Sequence, residues 1–187
     1  MLDRIINWDQ RLLVFLNSMG NEQWDFFWIG VTNKYVWIPL YVIILYLLLK
    51  HFGWKKTLFT LFFIALLITF TDQFVNLIKE TFQRIRPFKD EFISSLIRVV
   101  KKSGGYSFLS GHATNSFAVS TFVILSLKSY FKPIYFILIW PILFAYSRIY
   151  LGVHFPSDVL TGAILGVFLG FVFHVLFHYL WSKFVIN

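Results

Sequence analysis

Long apolar runs, separated by polar connectors, constrain this 187-residue chain more than any other feature of its sequence. Five of them approach the roughly 17–25 residues that a helix needs to cross the apolar core of a bilayer. These runs lie at 35–52, 57–79, 112–128, 134–151 and 159–182. Only 14% of the residues are charged, whereas about a quarter are charged in a typical soluble domain. The sequence therefore predicts an all-α, polytopic membrane helical bundle of about five transmembrane helices.

Residues 1–33 differ from these runs, because apolar and charged side chains alternate along them. Such a segment is too charged to span a bilayer and suits an amphipathic helix that lies in the membrane interface. We therefore expect an N-terminal interfacial helical segment at 1–33 and a transmembrane bundle at 34–187. Together they are expected to form a single domain, 1–187, in which the polar stretch 80–111 is the longest connector.

The charges of the connectors predict the orientation of the bundle. In an up-and-down bundle, the connector 80–111 and the loop 152–158 lie on the same side. The connectors on the other side are short and purely basic, with Lys55 and Lys56 in one and Lys128 and Lys132 in the other. Short basic connectors stay in the cytoplasm, so the long connector is expected to face outward. The net charge of +8 is concentrated beside the spans, where it favours contact with anionic lipid over binding of nucleic acid.

Ionisable side chains cluster at the helix ends on the outward side. Such groups are costly at the ends of spans, so their concentration on one side indicates a functional site. An arginine guanidinium binds two phosphate oxygens at once, and a lysine ammonium adds a point charge. Because no acidic cluster is available for a metal ion, the set indicates a phosphate site without a metal or other cofactor. Its members are Lys79, Arg86, His112, Arg148, His154 and Asp158.

Two helix starts supply the remaining groups of this predicted site. Ser110 and Gly111 precede the third run, and their backbone N–H groups are expected to point at an anion. Asp158 lies in the first turn of the last helix, within reach of His154 four residues before it. A carboxylate on one ring nitrogen leaves the other nitrogen free to attack phosphorus. His112 could then protonate the departing oxygen.

These residues fall in three motifs that resemble those of the type 2 phosphatidic acid phosphatase superfamily of lipid phosphate phosphatases, which shares its site with vanadium haloperoxidases. The motifs of that family are Lys-x6-Arg-Pro, Pro-Ser-Gly-His and Ser-Arg-x5-His-x3-Asp. In this chain they read Lys79…Arg86-Pro87, Leu109-Ser110-Gly111-His112 and Ser147-Arg148…His154…Asp158. Leu109 departs from the pattern, since the family has proline there. The exchange is expected to change the rigidity of the loop and not the mechanism.

The resemblance implies a metal-independent lipid phosphatase of the small bacterial type. It would hydrolyse a lipid phosphate or diphosphate monoester through a phosphohistidine intermediate, with His154 as nucleophile, Asp158 orienting it and His112 as general acid. The groups that hold the phosphate would be Lys79, Arg86, Ser110, Gly111 and Arg148. The active-site loop would be 80–111, facing the periplasm from the bacterial inner membrane. No cofactor and no obligatory protein partner are expected besides the bilayer and its lipid substrate.

The residues do not identify the lipid, so several alternatives stay open. Undecaprenyl diphosphate is the first candidate, followed by phosphatidylglycerophosphate, phosphatidic acid and a lipid A phosphate. A lipid phosphotransferase, which passes the phosphate to another lipid instead of water, would carry the same residues. So would a non-catalytic lipid-binding membrane protein that retains the anion pocket.

Two regular spacings within the runs also have more than one interpretation. Asp72, Asn76 and Lys79 share one helix face. They form either a polar path into the site or an interior stripe that bonds neighbouring helices. Glycine recurs at every fourth position over 162–170, a spacing that allows a neighbouring helix to approach closely. Packing within the chain is favoured over a homodimer seam.

Overall fold

The computed structural model describes residues 2–184, and the ends of the predicted domain, residue 1 and residues 185–187, lie outside the described part. Within 2–184 the regular structure is entirely helical, as predicted. The α-helices are α1 (Leu2–Ser18), α2 (Glu22–Val31), α3 (Ile38–Phe82), α4 (Glu91–Ser94), α5 (Gly111–Leu127), α6 (Ile139–Tyr150) and α7 (Pro156–Phe184). Segments of 3-10 helix at Lys34–Trp37, Pro87–Lys89 and Lys132–Leu138 complete the set.

Helix α3 contains the first two predicted runs, because the chain turns within it at Gly53. This residue has φ 68° and ψ 174°, a conformation that glycine adopts without strain because it has no Cβ atom. The turn divides α3 into an arm at 38–52 and an arm at 54–82. Residues of both arms line the same cavity, so the two arms face each other.

The other three predicted runs correspond to α5, α6 and α7, but the fourth run is not uniformly α-helical. It begins as the 3-10 segment Lys132–Leu138, and α6 starts only at Ile139. Pro141 lacks the N–H group that an α-helix would donate to the carbonyl of Ile137, four residues earlier. The missing donor is a physical reason for the irregular start of this run.

Three helical segments among the described residues are long and apolar enough to cross a membrane. They are Lys34–Ser94, Lys132–Tyr150 and Pro156–Lys183. The first of them includes both arms of α3. Helix α5 has only 17 residues, and many of its side chains are buried by the surrounding helices. The chain is therefore an integral membrane protein by its apolar helices, and the count of five spans stays a prediction.

Close contact between α5 and α7 organises the bundle, and the glycines of α7 make it possible. A methyl group at Gly162 would lie 2.9 Å from the carbonyl oxygen of Ser110. At Gly166 it would collide with the carbonyl oxygen of Thr114, and Gly170 meets α5 in the same way. The glycine spacing thus serves packing within the chain, and the interpretation favoured by the sequence is confirmed.

Two apolar clusters stabilise the bundle and position its polar end. The main core lies among the arms of α3, α5, α6 and α7, away from the polar connectors, with Leu67 and Phe122 fully buried in it. A second cluster, near the connectors, attaches α1 to the bundle. Its buried members are Leu13, Ile93, Ala113, Ala145, Ile149, Phe155 and Val159.

Replacement of Gly166 by alanine is expected to destabilise the protein by about 1–3 kcal/mol, because the added methyl group meets backbone atoms of α5 that cannot move aside. Gly30→Ala in α2 is the matched control, since nothing lies within 4 Å of its added methyl group. Alanine favours helix more than glycine does, so the control should be neutral or slightly stabilising. Thermal unfolding in detergent micelles measures both variants, and equal Tm values for the two would contradict the packing of α5 on α7.

Candidate active site

The connector 80–111 and the loop before α7 meet at one end of the bundle, as the alternation of the spans predicts. Within the connector, the N–H of Ser107 donates to the carbonyl oxygen of Arg84 at 2.8 Å. The N–H of Lys101 donates across to the carbonyl oxygen of Leu151 at 3.4 Å. Main-chain hydrogen bonds therefore help to fix the loops that carry the predicted site residues.

Arg86 is buried in this region and lies against His154. Its Nε–H donates to the carbonyl oxygens of Gly104 and Gly105, at 3.1 Å each. Its Nη1 donates to the carbonyl oxygen of Val153 at 3.0 Å and lies 3.2 Å from Nε2 of His154. A guanidinium group can only donate, so this last contact requires that Nε2 carry the lone pair. Nε2 is then the ring nitrogen available for attack on phosphorus.

Asp158 lies on the other side of the His154 ring, as the four-residue spacing predicts. Its Oδ2 is 3.5 Å from Nδ1 of His154, and both side chains are buried. This distance is too long for a good hydrogen bond, and Nδ1 has no hydrogen-bond partner among the described residues. Catalytic hydrogen bonds are often long without substrate and shorten when it binds. The arrangement is therefore compatible with an orienting role for Asp158.

Three groups that were not predicted from the sequence hold the carboxylate of Asp158. Its Oδ1 accepts a hydrogen bond from Nη1 of Arg84 at 2.6 Å. Its Oδ2 accepts from the hydroxyl of Ser107 at 2.5 Å and from the N–H of Phe155 at 2.9 Å. A carboxylate with three donors has little freedom to rotate, so its position beside His154 is fixed before any substrate arrives.

Arg84 also connects this carboxylate to the N-terminal helix. Its Nη2 lies 2.7 Å from Oδ2 of Asp9, which is buried although α1 was expected to lie in the interface. Asp9 in turn accepts from the N–H of Ser157 at 2.8 Å and from its hydroxyl at 2.5 Å. A carboxylate of α1 therefore caps the first turn of α7, where backbone N–H groups lack partners within the helix. The sequence did not distinguish Asp9 from the other charged residues of this amphipathic segment.

Lys79, Gly111 and His112 border a cavity of about 810 Å³ between the two arms of α3, α5 and α6. The ring of His112 is exposed to this cavity, with its centroid 5.1 Å from that of Phe144. Lys79 lies within electrostatic range of Arg86, Arg148 and Asp158. The cavity therefore opens beside the cations of the predicted phosphate site.

Arg148 is buried at the end of α6, as the sequence predicts for a phosphate-binding residue. Its Nη1 donates to the hydroxyl of Thr32 at 2.5 Å, and Thr32 was not predicted to contribute. Its Nε has no hydrogen-bond partner among the described residues. Buried polar groups are nearly always hydrogen-bonded, so the unused donor of Arg148 is available to an anion.

Ser110 differs from the prediction. Its N–H donates to the carbonyl oxygen of Asp158 at 3.1 Å and is not free for an anion. Its hydroxyl accepts from the N–H of Ala113 at 3.5 Å and so caps α5. The sequence could not indicate this main-chain contact between α5 and α7. Anion binding by the N–H of Gly111 stays a prediction.

The environment of His154 favours its neutral form. Burial lowers the pKa of His154 below its ordinary value, because a charged imidazolium would lose its hydration. The Asp158 carboxylate opposes this change, whereas the charges of Arg148 and Arg86 act in the same direction as burial. The neutral imidazole, with a lone pair on one nitrogen, is the nucleophilic form.

Comparisons with known proteins agree with this geometry. The sequence model of the PAP2 superfamily matches residues 56–182, more than half of the chain. The chain is 38% identical to the Lipid A 4'-phosphatase of Bacteroides thetaiotaomicron over 98% of its own length and 83% of that protein. It is 31% identical to the Undecaprenyl-diphosphatase of Sulfolobus acidocaldarius, over 91% of its own length and 74% of that protein.

Solved structures with a similar fold are known, and one of them comes from Bacillus subtilis. The crystal structure of the transmembrane PAP2 type phosphatidylglycerolphosphate phosphatase from Bacillus subtilis superposes with a TM-score of 0.74. The match covers 97% of this chain and 89% of that chain, at 23% sequence identity. At this identity the similarity supports the fold alone.

The ring of His154 is expected to remain neutral at about pH 6, where an ordinary exposed histidine is mostly protonated. A lowered pKa means that the ring accepts a proton only when the pH falls below the usual histidine range. Nitrogen NMR of histidine-labelled protein in nanodiscs measures this, and the signal that disappears in His154→Ala identifies the residue. A ring that is half protonated at pH 6.5 or above would contradict the prediction.

Arg84→Ala is expected to lower kcat about tenfold to a hundredfold with little change in KM, because misplaced catalytic groups lose rate while the phosphate-binding cations remain. Asp9→Asn should have a smaller effect in the same direction, since it weakens the outer ion pair of Arg84 and the contacts with Ser157 but leaves the partners of Asp158 in place. Lys89→Ala is the control, a change of an exposed cation in the same connector. A raised KM with unchanged kcat in Arg84→Ala would mean that Arg84 binds substrate and does not hold Asp158.

Proposed function

Because the chain belongs to the PAP2 superfamily, we propose that it removes the terminal phosphate of a membrane lipid phosphate or diphosphate, with a lipid A 4'-phosphate as the first candidate substrate. The sequence alone placed undecaprenyl diphosphate first. The similarity to the Lipid A 4'-phosphatase is higher and extends over more of the chain, which reverses that order. Undecaprenyl diphosphate remains the second candidate.

The observation that carries the proposal is the position of His154, buried between Arg86 and Asp158. We expect Nε2 of His154 to attack phosphorus, which forms a P–N bond and breaks the P–O bond to the lipid. His112, at the edge of the cavity, would give its proton to the departing lipid oxygen. Water then attacks the phosphohistidine and gives a proton back to His112, so that the P–N bond breaks, inorganic phosphate is released and both histidines return to their starting forms.

The positive charge of the site supports hydrolysis without a metal ion. Arg86, Arg148 and Lys79 together offer guanidinium and ammonium donors to the phosphate oxygens. Within residues 2–184, no group of three or more His, Cys, Asp or Glu side chains is arranged to hold a metal. The cations would therefore supply the charge that a metal ion provides in other phosphatases.

The placement of the basic connectors supports an outward-facing site in a bundle of five spans. The ring of His51 lies 5.6 Å from that of Tyr130, so the connectors that follow the first and third runs meet at one end. That end carries Lys55, Lys56 and Lys128 and is opposite the site. Because basic connectors stay in the cytoplasm, we expect the site to face the periplasm from the inner membrane.

Release of inorganic phosphate from a panel of purified lipids tests the proposal. The panel contains lipid A, undecaprenyl diphosphate, phosphatidylglycerophosphate and phosphatidic acid, each assayed in micelles with EDTA present. We expect hydrolysis by the parental protein and a loss of at least a thousandfold in His154→Ala, which removes the nucleophile. His51→Ala, a histidine change at the opposite end, is the control and should leave the rate unchanged.

Parental activity in both His154→Ala and His112→Ala would overturn the mechanism. Loss of activity in EDTA would overturn its metal independence.

Rapid quenching with phosphorus-labelled substrate should trap an acid-labile phosphoenzyme, which is absent from His154→Ala. Label that appears on an added lipid alcohol instead of in free phosphate would identify a phosphotransferase.

A further inference from the structure

Polar side chains line one wall of the cavity, directly beside the predicted phosphate site. Asp72 and Asn76 come from the second arm of α3, and Asn115 comes from α5. Much of the remaining lining is apolar, with residues such as Ile44, Leu61, Ile64, Ile68, Val119 and Val123. One wall of a mostly apolar cavity can therefore form hydrogen bonds.

Contacts between α3 and α5 hold the polar side chains of this wall in place, but they use only some of the hydrogen-bonding groups of these side chains. Nδ2 of Asn115 donates to Oδ1 of Asp72 at 2.5 Å, and Oδ1 of Asn115 accepts from the hydroxyl of Thr71. Oδ2 of Asp72 and the side-chain amide of Asn76 have no hydrogen-bond partner among residues 2–184, and both side chains are exposed. The wall thus presents a free carboxylate oxygen, an amide oxygen and an amide N–H₂ group.

These free groups lie close to the predicted phosphate site, at the depth in the bundle where the part of a substrate bonded directly to the phosphate would lie. With a rise of about 1.5 Å per residue, Asn76 lies about 4.5 Å along α3 from Lys79, and Asp72 about 10.5 Å. Asn115 is one turn along α5 from His112. A substituent bonded directly to the phosphate reaches this wall before the lipid tails do.

We propose that Asp72, Asn76 and Asn115 bind the hydroxyl and amide groups of a carbohydrate headgroup that carries the scissile phosphate. A carboxylate oxygen and amide oxygens accept hydrogen bonds from sugar hydroxyls, and the amide N–H₂ groups donate to sugar oxygens. A second phosphate beside Asp72 would be repelled by its carboxylate. An acyl or prenyl chain would leave Oδ2 of Asp72 and the amide of Asn76 unpaired, which is unfavourable in a mostly apolar surrounding.

This inference rests on the proposed lipid phosphatase function and narrows its substrate to a phosphorylated glycolipid. The sugar lies against the polar wall, and the acyl chains of the glycolipid occupy the apolar remainder of the cavity. A site built to hydrogen-bond a substrate hydroxyl strongly rejects an analogue that lacks it. The wall therefore acts as a specificity determinant, whereas the phosphate-binding cations act on every lipid phosphate.

Asn76→Leu and Asp72→Asn test the proposal through a comparison of substrates. Initial rates are measured with lipid A, with phosphatidylglycerophosphate and with phosphatidic acid, all in the same detergent. For lipid A we expect kcat/KM to fall at least tenfold, mainly through KM, while the value for phosphatidic acid stays within about twofold. Ile68→Val is the matched control, because it changes the apolar lining of the same cavity and should affect the lipids alike.

An equal loss on all three lipids would overturn the proposal, because it would make the wall a structural feature. A loss on phosphatidylglycerophosphate as large as that on lipid A would overturn the carbohydrate assignment in favour of any hydroxylated headgroup. If the parental protein hydrolyses none of these lipids, the proposed function fails.

A binding experiment then tests the wall separately. Binding of a phosphate-free acylated glucosamine disaccharide is measured by tryptophan fluorescence, to which Trp140 in the cavity contributes. Weaker binding in Asn76→Leu supports the wall, and unchanged binding overturns it.

Discussion

The carboxylate of Asp158 is the group on which the active end of this bundle depends. It is fully buried, and an ion without partners in such a place is destabilising by several kcal/mol. Its partners come from separate parts of the chain, with Arg84 and Ser107 from the connector and the N–H of Phe155 from the loop before α7. Through Arg84 the network reaches Asp9 in the first helix. The site is complete only when these segments have all come together.

The sequence predicted the helices well, because each apolar run is a local property of the chain. It also predicted that the motif residues lie at one end of the bundle, since alternation of the spans decides which connectors meet. Arg84 and Asp9 could not be predicted, because the two residues lie 75 positions apart and neither has a periodic pattern. The N–H of Ser110 was assigned to an anion, but the tight approach of α7 gives it to a carbonyl oxygen instead. Periodicity indicates which face of a helix is buried and does not indicate its hydrogen-bond partners.

In the proposed function, the phosphate and the lipid bind to different parts of the structure. Arg86 and His154 are buried in the polar connectors, where main-chain carbonyl groups fix the guanidinium group. These positions suit a phosphate group whatever lipid carries it. The cavity between the α3 arms and α5 is mostly apolar. In our proposal, the polar side chains of its wall, Asp72, Asn76 and Asn115, distinguish one lipid headgroup from another. The motifs thus indicate a reaction, and the cavity wall indicates which molecules undergo it.

The glycine contact between α7 and α5 has a consequence for two proposed site residues at the ends of these helices. His112 begins α5, and Asp158 lies in the first turn of α7. Gly162 and Gly166 bring the backbones of α5 and α7 into close contact, which opposes sliding of one helix along the other. The contact therefore fixes the distance between His112 and Asp158. The cavity lies on a different side of α5, and none of the described residues of α7 lines it. The contact that fixes α5 against α7 is therefore separate from the cavity that the proposed lipid substrate would occupy.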